Sequence, residues 1–176
     1  LSWTSSQVQL CHIGIKPAEA ADYQKVAAYL LYPERTLRQP PETIASGLGK
    51  QSDLWPMSIS GDYPIFALRI DNEADLDVLR GVLRAQEYWR SKGLTVDVVA
   101  VNERAFSYAQ DTQRAIDWIV EGFRNRGGGQ PHIFAVRRDQ MSDESYNTLL
   151  ASARIVMHAQ NGSLAEQLRR SEEITV

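Results

Sequence analysis

The stretch PIFALRIDNEADLDVLRGVLRAQEYWRSKGLTVDVVAV, residues 64–101, carries two different periods of apolar spacing in succession. Ile65 to Ile70 is a short apolar run of strand length, and Pro64 suits a strand's first position, where no ladder donor is needed. Asp71, Asn72, Glu73 and Asp75 then supply the caps and first-turn acids of a helix. Leu76, Leu79 and Leu83 recur at helical spacing and define its buried face. Gly93 fits the left-handed position that closes such a helix. LTVDVVAV (94–101), rich in β-branched residues, follows as a second strand. Strand, helix and strand in this order predict parallel pairing.

The same beat continues toward the carboxyl end. Ser107 and Gln110 form a capping-box pair for a helix whose face is Ile116, Ile119, Val120 and Phe123. GGG (127–129) breaks that helix, and HIFAV (132–136) is a third strand. Ser142 caps a short helix through Leu149 and Leu150, RIVMHA (154–159) is a fourth strand, and Ser163 with Glu166 opens the last helix. The strands are apolar throughout rather than alternating, as they must be when helices cover both faces. The sequence therefore predicts an α/β fold: a parallel four-stranded sheet with helices on both faces.

Residues 1–53 read differently, as a helical lead-in. WTSSQVQLCHI (3–13) is helical in character, and Pro17 sits well in the first turn of a second helix with Glu19 near its positive end. Tyr23, Val26, Ala27, Leu30 and Leu31 form its apolar face, and Pro33 ends it. Residues 33–53, with three prolines and two glycines, make an irregular connection. The boundary falls there, with the α/β module over residues 54–176. There is no starting Met and the first residues look like the inside of a helix, so we expect a piece of a longer polypeptide.

The 176 residues are 43% hydrophobic and 23% charged, with net charge −3 and pI about 5.6. Such a balance gives no electrostatic footprint for nucleic acid or anionic lipid. No apolar stretch approaches the ~20 residues that span a bilayer, so direct membrane insertion is not expected. The single cysteine, Cys11, lies in an apolar-periodic segment without a neighbouring base and reads as a structural thiol.

Motifs of chemistry are missing. No GxGxxG or GxxxxGK[ST] follows a strand, no HExxH or CxxC holds a metal, and no GxSxG marks a nucleophile elbow. We expect no catalytic residue, no metal and no cofactor. His132 and His158 flank or lie in strands and read as hydrogen-bonded core or rim histidines; His12 is isolated. Acids such as Asp62, Glu87, Glu103 and Asp139 offer carboxylate pairs, but no spacing singles one out. Of the adjacent Tyr88 and Trp89, one is expected in the core and the other half exposed.

Two places are candidates for binding. Parallel sheets hold ligands outside the carboxyl ends of their strands, where Asp71–Asn72, Asn102–Glu103–Arg104, Arg137–Arg138–Asp139 and Gln160–Asn161 fall here. Capping alone also explains a polar rim of this kind. The second place is LWPMSISGDY (54–63), where Trp55, Ser60, Gly61 and Asp62 stand at the mouth of the first strand. Gly61 permits a sharp turn and Asp62 can bond neighbouring amides, so a turn explains this motif too.

QSDLWPMSISGDYPIFALRI, LSWTSSQVQL…GI at 1–15, YQKVAAYLLYPERTLR at 23–38, LRAQEYWRSKGLTVDVVAVNE at 83–103 and GSLAEQL at 162–168 resemble a segment of bacterial cyclic β-1,2-glucan synthases. The carboxyl-terminal region of these enzymes is related to glycoside hydrolase family 94 phosphorylases. The resemblance covers nearly the whole chain, with Ser58 where the family pattern GISGD has glycine. It implies a large parent enzyme on the cytoplasmic side of the bacterial inner membrane that uses UDP-glucose. Its phosphorylase-like portion is associated with control of glucan length, and its acid and phosphate-binding motifs lie elsewhere. No catalytic residue carries over. Three functions compete: a non-catalytic structural module packed on neighbouring domains of the parent, a β-1,2-glucan-binding module using the strand ends with Trp55 or Tyr63, and an independent small enzyme, which the missing motifs oppose.

Overall fold

The computed structural model describes residues 14–32, 38, 41–42, 44, 49–104, 106–126 and 132–175. The helix expected over 3–13, with Cys11 and His12, and the glycines at 127–129 lie outside these. Four strands, β1 (Ile65–Ile70), β2 (Asp97–Asn102), β3 (Ile133–Arg137) and β4 (Ile155–His158), form one sheet in the order β3-β2-β1-β4. All three pairings are parallel, with Ala67 opposite Val99 and Val156, and Val99 opposite Phe134. The helices are α1 (Pro17–Leu31), α2 (Leu76–Ser91), α3 (Phe106–Arg124), α4 (Asp143–Ser152) and α5 (Leu164–Thr175). A 3-10 helix, Gln51–Met57, precedes β1.

Each face of the sheet has its own core. Phe66, Leu68 and Ile70 of β1 pack with Val98 and Ala100 of β2 beneath α1, α2, α3 and α5. Ala67, Val99 and Val101 face the other way, toward Leu149 and Leu150 of α4 and Leu54 of the 3-10 helix. The chain steps from β1 to β2 to β3 with its helices on one face, then returns to β4 with α4 on the other. A single handedness of crossover requires this reversal. The predicted parallel α/β sheet, with helices on both faces and a helix preceding it, is the observed one.

Local signals account for most boundaries. The Leu94 N–H bonds the Trp89 carbonyl at 2.9 Å and the Gly93 N–H that of Arg90 at 3.0 Å, closing α2 around Gly93 at φ +84°. Because Leu94 belongs to that closure, β2 starts at Asp97 rather than 94. Asn72 Oδ1 accepts the Ala74 N–H at 3.1 Å, and the hydroxyls of Ser142 and Ser163 accept the N–H groups of Ser145 and Glu166. α3 opens at Phe106, so Ser107 lies inside the helix rather than at its cap.

Two expectations of burial fail, and both fail through tertiary packing. Leu31, placed on the apolar face of α1, is 53% exposed, because that face ends at Leu30. Tyr88 and Trp89 are both buried, since the sheet covers one side of α2 and α1 covers another. Tyr88 Oη accepts a hydrogen bond from Gln24 Nε2 at 2.8 Å across that contact.

The 3-10 helix ends at Ser58, which has φ +65° and ψ +17°. Its N–H bonds the Trp55 carbonyl at 2.8 Å, so this left-handed turn is what stops the helix. An L side chain there carries a penalty of about 1–2 kcal/mol, which glycine avoids. The glycine that the resemblance leads one to expect at this position thus has a backbone reason. Ser58→Gly is expected to raise stability by about 0.5–1 kcal/mol after the entropy of the more flexible unfolded chain is counted. Thermal melting checks it: an unchanged or lower Tm contradicts the assignment.

Candidate functional site

The turn Ser60-Gly61-Asp62 is built by three contacts. The Asp62 N–H donates to Ser60 Oγ at 3.2 Å, and Gln51 Nε2 donates both to the Ser60 carbonyl at 2.5 Å and to Asp62 Oδ1 at 3.0 Å. Gly61 has φ +83°, the left-handed region expected of it. The turn aims the chain from the 3-10 helix into β1 at the amino end of the sheet.

There it meets the starts of two other strands. Asp97, first residue of β2, is almost wholly buried, and its Oδ1 lies 2.8 Å from Nδ1 of His132, just before β3. His132 itself adopts φ +50°, uncommon for a residue with a side chain. The Tyr63 ring stands edge-on to the imidazole, centroids 4.9 Å apart. Ser58, Ser60, Asp62, Tyr63, Asp97 and His132 share one cleft of about 670 Å³. Arg124, at the end of α3, reaches into it and donates to the Ile133 carbonyl at 2.6 Å.

Burial pushes the Asp97 carboxyl above its ordinary value; the hydrogen bond from His132 pulls it down, and nearby Asp62 raises it further. The native chain therefore takes up this proton at higher pH than the unfolded chain does. Its contribution to stability grows as pH falls toward the ordinary carboxylate range, about pH 4, and is lost as pH rises through the native value. His158 acts in the opposite sense. Burial and then Arg69 lower its value, so its contribution is present above the ordinary histidine range and lost on acidification. Urea unfolding at several pH values is expected to show wild type gaining on Asp97→Asn, but losing to His158→Gln, as pH falls from neutrality. Parallel pH curves for all three would contradict both assignments.

The carboxyl ends of the strands are arranged differently. Arg69 of β1 bonds Glu103 at 2.8 Å, and Tyr146 of α4 donates to the same carboxylate oxygen at 2.6 Å. The Arg138 guanidinium lies 4.2 Å over the Tyr146 ring. Burial, followed by the bond to Glu103, pushes the Tyr146 hydroxyl up to about 12. At the β1/β4 border, where the sheet order reverses, His158 Nδ1 sits 3.8 Å from Asp71. Asn102 accepts the Arg104 N–H at 3.1 Å and donates to Gln113 at 3.2 Å, the geometry of a side chain shaping a strand-to-helix loop. Among the described residues, Arg69, Glu103 and Tyr146 bond one another at this end.

The candidates from sequence are thus divided. Ser60 and Asp62 line the amino-end cleft, Gly61 shapes the turn between them, and Trp55 stands 62% exposed on the adjoining 3-10 helix. Asn102 and Arg104 lie at the opposite end of the sheet and join no common site with them. Asp97 and His132 complete the cleft as an acid–imidazole pair; the available signal was a lone acid inside the apolar run TVDVVAV. His132, read as a hydrogen-bonded rim histidine, is one. Among the described residues no group of three His, Cys, Asp or Glu side chains converges for a metal, and no helix is long and apolar enough to cross a membrane.

The fold defines the class: a small parallel α/β module. The chain is 51% identical to part of the cyclic beta-(1,2)-glucan synthase NdvB of Rhizobium meliloti (strain 1021), over 176 aligned residues. That match takes in 98% of this chain but 6% of the synthase. It confirms the resemblance to a segment of such an enzyme. No family model matches the chain.

Proposed function

We propose that the chain is a non-catalytic structural α/β module of a cyclic β-1,2-glucan synthase, packed among neighbouring domains on the cytoplasmic side of the inner membrane. The parent builds the glucan from UDP-glucose with residues outside this segment. The observation that carries this reading is the set of polar side chains bonded to one another at the carboxyl end of the sheet. Where a parallel fold of this kind holds a ligand, Arg69, Glu103 and Tyr146 satisfy one another instead. A second reading, glucan binding, is favoured by one observation: the amino-end cleft gathers Ser60, Asp62 and Tyr63 with an acid–imidazole pair. It relocates binding from the carboxyl ends to the amino ends.

Titration calorimetry of the chain with β-1,2-glucans separates the two. A structural module gives no saturable heat at millimolar glucan, an affinity weaker than about −4 kcal/mol. Saturable binding that vanishes in both Asp62→Ala and Tyr63→Ala would transfer the assignment to the glucan-binding reading.

A further inference from the structure

The amino-end cleft does not stop at His132. β3 is an outer strand, paired among the described strands with β2 alone. A second cleft of about 480 Å³ lies beside it, between Pro56 and Met57 of the 3-10 helix and Gln113 and Asp117 of α3. Both clefts include Met57, Ser58 and Ala135. They join into one trough along β3, with the 3-10 helix and α3 as walls and the strand edge as floor.

The backbone of that floor has a definite polarity. The Val98 N–H bonds the His132 carbonyl at 3.0 Å, and Val98 stands opposite Ile133 in register. In a parallel ladder, His132, Phe134 and Val136 then turn their peptide groups to β2, while Ile133, Ala135 and Arg137 turn theirs to the trough. Arg124 agrees with this direction, since it caps the Ile133 carbonyl from outside. The run Ile-Phe-Ala-Val carries neither the lysine nor the proline that ordinarily guards a sheet edge. Asp117 of α3 and Met57 of the 3-10 helix face each other across the trough as its walls.

We propose that this trough receives an extended segment of the same polypeptide, from outside this stretch, which adds a fifth strand beside β3. The proposal rests on the structural-module reading and names one of its packing surfaces. The trough-facing peptide groups of Ala135 and Arg137, beyond the Ile133 carbonyl that Arg124 caps, call for an extended backbone rather than a helix, as in other strand additions. The occupant is intramolecular because the matching segment is 6% of a synthase chain, so most of that polypeptide is available nearby. Covalent linkage presents such a strand at an effective concentration on the order of millimolar, which a second copy must reach by diffusion.

The test uses a full-length synthase containing this segment, with the photo-crosslinking residue p-benzoylphenylalanine in place of the wall residue Asp117. Irradiation is expected to give one intrachain adduct to a single peptide outside the segment, identified by mass spectrometry. Ala135→Pro removes a trough-facing N–H without touching the bonds to β2, and is expected to cut the adduct yield several-fold; Ala135→Ser leaves it unchanged. An adduct joining two copies at doubled mass, no adduct beyond the segment, or an adduct displaced by added β-1,2-glucan overturns the proposal. Glucan synthesis measured on the same variants keeps the two readings apart. Lost synthesis with an intact adduct defeats the non-catalytic reading alone, whereas a missing adduct with normal synthesis defeats the fifth strand alone.

Discussion

Trp89→Ala is expected to destabilise the chain by about 3–5 kcal/mol, the range for truncating a large buried aromatic. Its side chain is 1% exposed and belongs to the core shared by α1, α2 and β1. The indole lies 6.2 Å from the Phe66 ring on the sheet side, and its N–H donates to the Tyr23 carbonyl of α1 at 2.8 Å. One side chain thus joins the lead-in helix, α2 and the sheet. Against a typical total of about 5–15 kcal/mol for a folded domain, the loss removes a fifth or more of the stability. Trp89→Phe keeps most of the apolar contact and gives up one hydrogen bond, so it costs about 1 kcal/mol plus a smaller packing loss. Urea unfolding of the chain measures both. A Trp89→Ala midpoint near that of wild type would mean that α1 packs without this anchor.

Trp89 also shows what periodicity leaves out. Adjacent positions of a helix point to different faces, so Tyr88 and Trp89 read as one core and one half-exposed residue. That inference holds for a helix packed on one side. α2 is packed on two, because α1 folds back over it, and Gln24 reaches Tyr88 across the contact. Spacing within α2 carries no trace of α1. The sheet is the opposite case. Continuous apolar strands, the acids at 71–75 and Gly93 are local consequences of parallel pairing with both faces covered, and the fold could be read from them.

The amino-end cleft combines both lessons. Asp62, Asp97 and His132 stand at or just before the starts of three different strands, and only the β3-β2-β1 order makes them neighbours. Sequence placed a turn at Ser60-Gly61-Asp62 correctly, since one glycine and one acid at a strand mouth suffice to specify it. It could not place His132 beside Asp97. Their separation along the chain has no periodic signature. Nor could it show that Glu103 at the opposite, carboxyl end would be bonded by Tyr146, which arrives there from α4 on the far side of a crossover.

Gly61→Val is expected to cost about 2–4 kcal/mol, well beyond Asp62→Ala at about 1 kcal/mol. The first part of the Gly61 penalty is conformational. Residue 61 sits at φ +83°, where a branched side chain meets its own backbone at about 1–2 kcal/mol. The second part comes from Gln51. A Cβ on residue 61 would lie 2.6 Å from Gln51 Cγ and 2.9 Å from its Nε2, so that side chain must leave. Its departure breaks the bonds to the Ser60 carbonyl and to Asp62, worth about 1 kcal/mol each. Asp62→Ala removes only the carboxylate and leaves Gln51 on the Ser60 carbonyl. Gln51→Ala isolates the shared component: in that background the steric clash is gone and Gly61→Val retains the φ penalty alone. Melting the four chains tests this, with the double variant expected to be more stable than the two single losses added together. Simple additivity would show that Gln51 is not what Gly61 accommodates. Synthesis by the full-length enzyme supplies the functional half of the measurement. If Asp62→Ala melts within about 1 kcal/mol of wild type yet abolishes glucan synthesis, the turn is a working site and the structural reading of Ser60-Gly61-Asp62 fails.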